Sequence, residues 1–438
     1  MTLPVRRIAE VAKHASRQLA AIPEVDRTAA IRAAADAIEQ ARDLLLRANA
    51  HDLNKASELL ATGEISAATF ERLRLNDEKI KEMARSMRAV SDLPDPLGRI
   101  LQRTELDSGL VLEKVTCPLG VLAVIFEARP DAVTQISALA VKSGNAVILK
   151  PGAEVERTAI ALVEVISQSL LASGLPEASV GLVLGREAVR ELLGLADLVD
   201  LVIPRGSKQL VEFVHANTRI PVLGHAEGVC HVYVDNAADL AMALDILDDA
   251  KTDYPAACNA AETVLVHEAV ASTFLPRMAE RLRAKTVTLR GCEKSRAILS
   301  DCAIGAVQDD EWHREYGELV LAIKVVESME AAIRHIHQYG SSHTETIVTE
   351  DRAAAEEFLA KVDAAGVFHN ASTRFADGFR YGFGAEVGIS TSKLHARGPV
   401  GLDGLTTYKY LLRGAGQVAG SYHGSGARPF THKRLPTQ

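Results

Sequence analysis

The residue best suited to covalent chemistry is Cys258, in the sequence TDYPAACNAAETVLVH at residues 252–267. Residues 263–266 are β-branched or apolar, a composition that favours a buried strand. Cys258 is therefore predicted on the turn that leads into this strand, where the small neighbouring residues leave room for a substrate carbonyl to reach its sulfur. Free cysteine is also among the most buried residue types, so a core position is the alternative to a nucleophile.

Basic residues gather in a second stretch, residues 370–405, which is rich in Gly, Ser, Thr and Arg and shows little periodicity. A long loop inside a compact domain is usually functional or disordered. Cations concentrated there could form a local anion site in a protein whose overall charge is negative. A solvated basic surface loop is the alternative. The charged residues are Arg374, Arg380, Lys393, His395 and Arg397.

The elements that must position these residues follow an alternating pattern. Residues 5–90 have helical periodicity, which predicts an N-terminal helical layer. Buried strands and helices then alternate with short connections, the signature of a doubly wound α/β fold with a parallel sheet. A second αβ unit is predicted to begin near Cys258. Strands are predicted at residues 121–126, 145–150, 180–184, 198–203, 263–266, 286–289, 319–326 and 367–369.

A doubly wound sheet binds ligands at the carboxyl ends of its strands, but no strand of the first unit is followed by the G-x-G-x-x-G fingerprint. Lys150 ends a buried strand and could offer its ammonium to a ribose or a phosphate. A solvated lysine at a strand end is the alternative. Gly206 and Ser207 follow another strand and open a predicted helix, where backbone amides and the helix dipole favour a phosphate. Ser207 as a plain helix cap is the alternative there.

Composition excludes several classes of protein. The 438 residues suffice for two or three domains, and 47% hydrophobic content supports full-sized cores. The 49 Lys and Arg against 57 Asp and Glu give a formal net charge of -8, without the basic excess of a nucleic-acid-binding protein. No signal-peptide core or membrane-length apolar run is present, so we expect a cytoplasmic protein. The five cysteines lack paired spacing, and we expect neither disulfides nor a bound metal.

Several longer motifs carry a resemblance to a known family. They are FEARPDAV, KSGNAVILKPGAE, the segment around Cys258, YGSSHTETIVTED and GFGAEVGISTSKLHARGPVGLDGLTTYKYLLRG. These resemble the gamma-glutamyl phosphate reductases, also called glutamate-5-semialdehyde dehydrogenases, of the aldehyde dehydrogenase superfamily. The similarity runs from the N-terminal helices to about Gly416, and residues 417–438 receive no functional assignment. The resemblance implies NADPH-dependent reduction of L-glutamyl 5-phosphate to L-glutamate 5-semialdehyde and phosphate, a step of proline biosynthesis.

The resemblance also implies roles for single residues. Cys258 matches the catalytic nucleophile. Lys150 matches the lysine that holds the adenine-side ribose, and Gly206 with Ser207 matches the loop against the pyrophosphate. Glu315 falls where the superfamily has a glutamate that binds the nicotinamide ribose.

Departures from the superfamily pattern are equally informative. Val222 stands where hydrolytic aldehyde dehydrogenases carry a glutamate that activates water, so a thioester should persist long enough to accept hydride. The asparagine that supplies an oxyanion donor in those relatives aligns with Ala128. The backbone N–H of Cys258 and the side chain of Asn259 are therefore the candidate donors.

Cofactor preference and substrate charge complete the expectations from the resemblance. Ala153 stands where NAD-preferring relatives often have a carboxylate, which favours NADPH, although Glu154 next to it opposes this argument. The phosphate and the α-carboxylate of the substrate both need cations, and no single cation can be assigned to one group. One of the candidates, Arg129, could instead have a structural role as the ion-pair partner of Glu127. The candidates are Arg129, Arg380, Lys393, His395 and Arg397.

The expected architecture has three parts, with a β-arm that pairs subunits into a homodimer or a dimer of dimers. A separate glutamate 5-kinase would supply the acyl phosphate, with a transient encounter between the two enzymes. Two other readings stay open: a CoA-acylating aldehyde dehydrogenase and a noncatalytic metabolite-binding protein. The predicted parts are a dinucleotide-binding domain with the helical layer at residues 1–100 and 119–250, a catalytic domain at 251–404, and an oligomerisation arm and C-terminal tail at 101–118 and 405–438.

Overall fold

The computed structural model of the chain describes residues 4–224, 227–302 and 304–437. The helices in this part are α1 Val5–Leu19, α2 Glu24–Gln40, α3 Arg42–Ala61, α4 Ala67–Leu73, α5 Asp77–Ser91, α6 Pro130–Lys142, α7 Glu156–Ala172, α8 Glu187–Leu193, α9 Lys208–Asn217, α10 Leu240–Thr252, α11 Glu268–Ala284, α12 Glu293–Ile298, α13 Met329–Tyr339 and α14 Arg352–Lys361. The strands are β1 Ile100–Asp107, β2 Leu110–Pro118, β3 Val121–Phe126, β4 Ala146–Pro151, β5 Val180–Leu182, β6 Leu201–Arg205, β7 Cys230–Val234, β8 Ala261–His267, β9 Thr288–Gly291, β10 Gly305–Ala306, β11 Val320–Val326, β12 Thr344–Val348, β13 Gly366–His369, β14 Ile389–Ser390, β15 Gly398–Pro399, β16 Thr406–Arg413 and β17 Lys433–Arg434.

The described chain forms two compact units. The first unit contains the described residues up to Leu223, together with Phe383–Gly388 and the part from Val400 onward. The second unit contains the described residues of Gly224–Gly382 together with Ile389–Pro399. Each unit has a parallel sheet of its own.

The sheet of the first unit has the strand order β5-β4-β3-β6, and all its neighbours are parallel. All six residues of β3 are buried, as expected for a central strand covered on both faces. Helices α6 and α7 follow β3 and β4, and α2 packs against α5 and α7 to form the N-terminal helical layer. The predicted strands are present, but β6 begins three residues late because Leu198 and Val199 still donate to the carbonyl of Leu195.

A four-stranded antiparallel sheet also belongs to the first unit, with the order β16-β2-β1-β17. Strand β16 pairs with β2 over its whole length, from Thr406 opposite Pro118 to Arg413 opposite Val111. Residues 101–118 and the segment after 405, which the sequence analysis assigned to one arm, are therefore neighbours in one sheet. The outer strand exposes Tyr408, Tyr410 and Leu412.

The second unit has a seven-stranded parallel sheet with the order β10-β9-β11-β8-β7-β12-β13. Helices α10 and α11 cover one face over a large apolar core, and residues of α13 and α14 cover the other. Three features differ from the predictions. Strand β12 was not predicted, and the unit begins at Gly224 rather than at 251, because β7 pairs with both β8 and β12. Residues 383–388 and 400–404, predicted in the catalytic domain, pack in the first unit.

Candidate active site

The turn that carries Cys258 comes directly before β8, so the cysteine lies at the amino edge of the second unit's sheet. Because all neighbouring strands are parallel, the segments that precede them reach the same edge. The predicted residues Cys258 and Glu315 are brought to one edge in this way. The edge carries Gly228 before β7, Cys258 before β8, Glu315 before β11, Ser342 before β12 and Asp363 before β13.

Cys258 is partly exposed on this turn, which is closed by backbone hydrogen bonds from Ala257 to Tyr254 (3.1 Å) and from Ala260 to Ala257 (2.8 Å). Neither its sulfur nor its backbone N–H has a hydrogen-bond partner within residues 4–224, 227–302 and 304–437. Cys230 donates its S–H to the Cys258 carbonyl at 3.3 Å, and burial raises the pKa of the Cys230 thiol well above its ordinary value. Cys258 is thus the accessible thiol and Cys230 a buried neighbour.

Gly228 packs directly on the backbone of Cys258. A Cβ atom at this position would lie 2.0 Å from the Cys258 carbonyl oxygen, a distance that no side chain tolerates. The N–H of Gly228 donates to Oε2 of Glu315 at 2.9 Å. Glu315 therefore fixes the segment that packs on Cys258, and its contact with a nicotinamide ribose stays a prediction. The sequence analysis missed Gly228, because only its approach to Cys258 makes it special.

The Asn259 side chain is buried and joins the Cys258 turn to the loop after β13. Its Nδ2 donates to the Ala376 carbonyl at 2.9 Å, and its Oδ1 accepts from Arg374. Arg374 in turn donates through Nε to Asp253 at 3.1 Å. One N–H of the amide is thus already engaged, and the role of Asn259 as an oxyanion donor stays a prediction.

Arg380 contacts Asp253, which lies at the start of the turn that carries Cys258. Its Nη2 donates to Asp253 at 3.1 Å and its Nη1 to the Arg374 carbonyl at 2.5 Å. Hydrogen bonds from Arg380 and Arg374 hold the pKa of Asp253 below its usual value. Because Asp253 opens the turn that ends in Cys258, two guanidinium groups are tied to this turn.

Lys393 and Arg397 form a separate cluster around Asp363. Arg397 Nη2 donates to Asp363 Oδ1 at 3.0 Å, and Lys393 forms an ion pair with the other oxygen. Both contacts lower the pKa of the Asp363 carboxyl. His395 is exposed on the same segment. The five predicted substrate cations therefore do not form one cluster. The sequence analysis did not predict that Arg380 pairs with Asp253, or that Lys393 and Arg397 pair with Asp363.

A buried ion pair lies next to the Cys258 turn. Lys251 and Glu262 are both fully buried, with Nζ and Oε2 2.8 Å apart, and Gly317 N–H donates to the other Glu262 oxygen at 3.2 Å. Burial raises the pKa of Glu262 to about 7 and lowers the pKa of Lys251. The desolvation of Glu262 outweighs its attraction to Lys251, as is common for buried pairs.

The first unit carries its candidates at the carboxyl edge of its own sheet. The side chains of Lys150, near the end of β4, and Arg129, after β3, have no hydrogen bond or ion pair in the described part of the chain. Burial lowers the pKa of Lys150. Arg129 does not pair with Glu127, which was the structural alternative from the sequence.

The Glu127 carboxylate lies at the start of α9 instead. It accepts the Ser207 N–H through Oε2 at 2.8 Å, and a Cβ on Gly206 would lie 2.4 Å from the same oxygen. Ser207 also caps the helix by accepting the Leu210 N–H at 3.4 Å. An internal anion therefore occupies the amide that was predicted to receive a pyrophosphate.

Two negative findings concern the described part only. Within residues 4–224, 227–302 and 304–437, no helix is long and apolar enough to cross a membrane. In the same ranges, no group of three or more His, Cys, Asp or Glu side chains is arranged to hold a metal ion. The five cysteines are free thiols.

Each unit contains a parallel sheet, and the second carries a partly exposed cysteine on the turn before β8. These are features of the aldehyde dehydrogenase class of enzymes. The model of the aldehyde dehydrogenase family matches residues 4–318. The chain is 54% identical over 428 residues to a gamma-glutamyl phosphate reductase of Cyanothece sp., covering 98% of this chain and 97% of that protein. A second relative with this name, from Synechococcus sp., is 53% identical over 431 residues, covering 98% and 94%.

A solved structure agrees with these relatives. The crystal structure of gamma-glutamyl phosphate reductase from Thermotoga maritima has a TM-score of 0.91 and 40% identity to this chain, and the match covers 94% of this chain and 99% of that one. The chain belongs to the gamma-glutamyl phosphate reductase family, oxidoreductases of proline biosynthesis. The family resemblance, the α/β fold class and the enzyme class expected from the sequence are thereby confirmed.

Proposed function

We propose that the protein reduces L-glutamyl 5-phosphate to L-glutamate 5-semialdehyde and phosphate with NADPH, through a thioester on Cys258. The observation that carries the proposal is the Cys258 turn, where a partly exposed sulfur and an unpaired backbone N–H belong to the same residue. This pairing supplies a nucleophile and a donor for the oxyanion that forms on the attacked carbonyl.

The covalent step is an acyl transfer to sulfur. The Cys258 thiolate adds to the acyl carbonyl, the C–S bond forms, and the bond to the phosphate oxygen breaks as phosphate leaves with the electron pair. The developing oxyanion accepts the Cys258 N–H. Arg380, tied to the same turn through Asp253, supplies positive charge near the departing phosphate.

The absence of a base at position 222 supports a thioester that persists. Val222 bridges to Val202 beside β6, and an apolar side chain cannot activate water. When bound, a reduced nicotinamide cofactor supplies the hydride that converts the thioester to the aldehyde. The protein's part is to keep the acyl group on Cys258 until then.

The residues of the first unit fit a dinucleotide in part. Lys150 has an ammonium without a partner at the carboxyl edge, suited to ribose hydroxyls, and the start of α9 offers the Ser207 N–H to a pyrophosphate. Glu127 must leave that N–H first. Ala153 supports NADPH over NADH, while the nearby Glu154 carboxylate is held by the Ala128 N–H at 2.6 Å.

The remaining parts of the proposal concern the whole protein. Glu315 contacts the nicotinamide ribose, and Arg129 is the first unit's candidate cation for the substrate. The exposed outer strand β16 supports assembly through the arm as a homodimer or dimer of dimers. The enzyme works in the cytoplasm on acyl phosphate supplied by a separate glutamate 5-kinase.

The test is the reverse reaction, NADP⁺ reduction by the purified protein with glutamate 5-semialdehyde, with and without phosphate. The proposal predicts turnover that depends on phosphate and follows its concentration. A parallel assay with CoA in place of phosphate separates the CoA-acylating alternative. Turnover without either acceptor would mean that water deacylates Cys258 despite Val222, and the proposed chemistry would be wrong.

A further inference from the structure

A cavity of about 190 Å³ opens at the amino edge of the second unit's sheet, beside the starts of β12 and β13. Its lining includes His337 at the end of α13, Ser342 before β12 and Asp363 before β13. The Asp363 N–H donates to His337 Nε2 at 3.2 Å, and this hydrogen bond joins the end of α13 to the segment before β13. The cavity therefore has defined walls and one carboxylate in its lining.

Two cations flank this carboxylate. Arg397 and Lys393 each pair with one oxygen of Asp363, so the cluster has one negative and two positive charges. The Arg397 Nε is buried and has no hydrogen-bond acceptor in the described part of the chain. A buried unsatisfied donor on a charged group costs free energy unless a ligand or water supplies the acceptor.

This combination of charges suits one kind of ligand. A phosphate would pair with the two cations but bring a like charge against the Asp363 carboxylate, and a lone ammonium would pair with Asp363 but face the two cations. An α-amino acid head group carries an ammonium and a carboxylate on the same carbon, and it matches both signs at once.

We propose that this cavity binds the α-amino acid head group of the substrate, with Asp363 accepting the ammonium and Arg397 with Lys393 donating to the α-carboxylate. The inference rests on the proposed function and names the part of the site that discriminates substrates. It also separates the predicted cations, because Arg380 lies on the phosphate side with the Cys258 turn, and Lys393 and Arg397 lie on the head-group side.

The distances are compatible with one molecule. The Cys258 turn and the start of β13 are separated along the edge by three strand spacings, about 14 Å at about 4.8 Å each. An extended glutamyl thioester spans about 7 Å from the sulfur to the α-nitrogen at about 1.5 Å per bond. The side chains of Cys258 and Asp363 and one hydrogen bond can cover the remainder.

The test compares two aldehydes in the phosphate-dependent assay: glutamate 5-semialdehyde, and butanal, which has the same chain without the head group. Asp363→Asn should lower kcat/KM for the semialdehyde about tenfold or more, mainly through KM, and change the value for butanal less than about twofold. Glu356→Gln, an exposed carboxylate on α14, is the matched control and should change neither.

A second variant covers the possibility that Asp363→Asn disturbs folding. Lys393→Ala removes a side chain that is 72% exposed, and it should raise KM for the semialdehyde alone. Free L-glutamate should inhibit competitively against the semialdehyde, and Asp363→Asn should weaken that inhibition. Equal losses with both aldehydes, or inhibition by glutamate that is noncompetitive, would overturn the inference, while a failure of phosphate dependence in the wild-type protein would instead overturn the proposed function.

Discussion

The two parallel sheets of this protein use opposite edges. In the first unit, the functional candidates Lys150 and Ser207 follow strands and lie at the carboxyl edge. In the second unit, Cys258 and Asp363 precede strands and lie at the amino edge. The same αβ architecture therefore presents two different electrostatic environments.

The difference follows from helix direction. Helix α9 begins after a strand of the first unit, and its free N–H groups favour anions there. Helices α10 and α14 of the second unit end just before Asp253 and Asp363, so their partial negative ends face the amino edge. The helix ends at this edge therefore do not favour an anion. The basic residues of the long loop supply the positive charge that the backbone lacks.

The largest expected effect is the loss of the nucleophile itself. Cys258→Ala should reduce the phosphate-dependent reaction by about 10³-fold or more, because the proposed thioester forms on the Cys258 sulfur. Cys117→Ala, on the β2 strand of the arm, is the control and should retain normal turnover. Substantial activity of Cys258→Ala would assign the chemistry to another group and remove the reason for calling the amino edge catalytic.

A backbone contact should matter almost as much. Gly228→Ala would place Cβ 2.0 Å from the Cys258 carbonyl, and the turn would have to shift. A displacement of this order at a reacting centre costs about 100-fold in kcat. Gly305→Ala is the matched control, since its Cβ would meet only a side chain at 3.7 Å. If both variants are equally active, the Gly228 contact does not position the nucleophile.

Local sequence patterns were sufficient for the elements around these sites. The buried strands β3 and β8 and the turn of Cys258 are signalled by apolar and β-branched residues that lie next to each other in the chain. Strand β12 escaped because Thr344, Glu345 and Thr346 are polar and yet almost wholly buried. Hydrophobic periodicity cannot detect a strand whose buried side chains are polar.

Partners that are distant in sequence could not be predicted. The cations near Cys258 and those at the cavity differ by which carboxylate each pairs with, Asp253 or Asp363. Arg380 is 127 positions from Asp253 and Arg397 is 34 positions from Asp363, beyond the reach of local patterns. The contact between Glu127 and Ser207 joins residues 80 positions apart. The chemistry of single residues was predictable, but the way in which side chains neutralise one another was not.

The buried pair beside the amino edge gives a pH prediction. The folded pKa of Glu262, about 7, lies above its ordinary value of 4.5, so the stability from this group is complete below pH 4.5 and is lost as the pH rises through 7. Against Glu262→Gln, the wild-type free energy of unfolding should fall by up to about 1.4 kcal/mol per pH unit within this window. The fluorescence of Trp312, the one tryptophan of the chain, reports this unit in urea titrations.

The control for this measurement is Glu350→Gln, an exposed carboxylate of the same unit. It should follow the wild-type pH dependence. If the free energies of unfolding of the wild-type protein and Glu262→Gln differ by the same amount at every pH, Glu262 keeps its charge in the folded state. The ion pair with Lys251 would then compensate the burial of Glu262 better than the geometry indicates.

The smallest effect is expected at the carboxyl edge of the first unit, where the Glu127 carboxylate accepts the N–H of Ser207, the predicted pyrophosphate site. Glu127→Gln replaces a charged acceptor of the Ser207 N–H by a neutral one, which is weaker by about 1 kcal/mol. NADPH should therefore bind about fivefold more tightly, measured by calorimetry on the purified protein. Adenosine 2′-phosphate, which lacks a pyrophosphate, should bind both proteins equally.

Glu156→Gln separates displacement from simple charge removal. Glu156 also lies near Lys150 and contributes a similar negative charge, but it does not contact the α9 amides. If both variants strengthen NADPH binding equally, the gain comes from the overall field. If Glu127→Gln alone does so, the carboxyl edge is an anion site that the protein fills itself until the cofactor arrives, whereas the amino edge depends on side-chain cations for its positive charge.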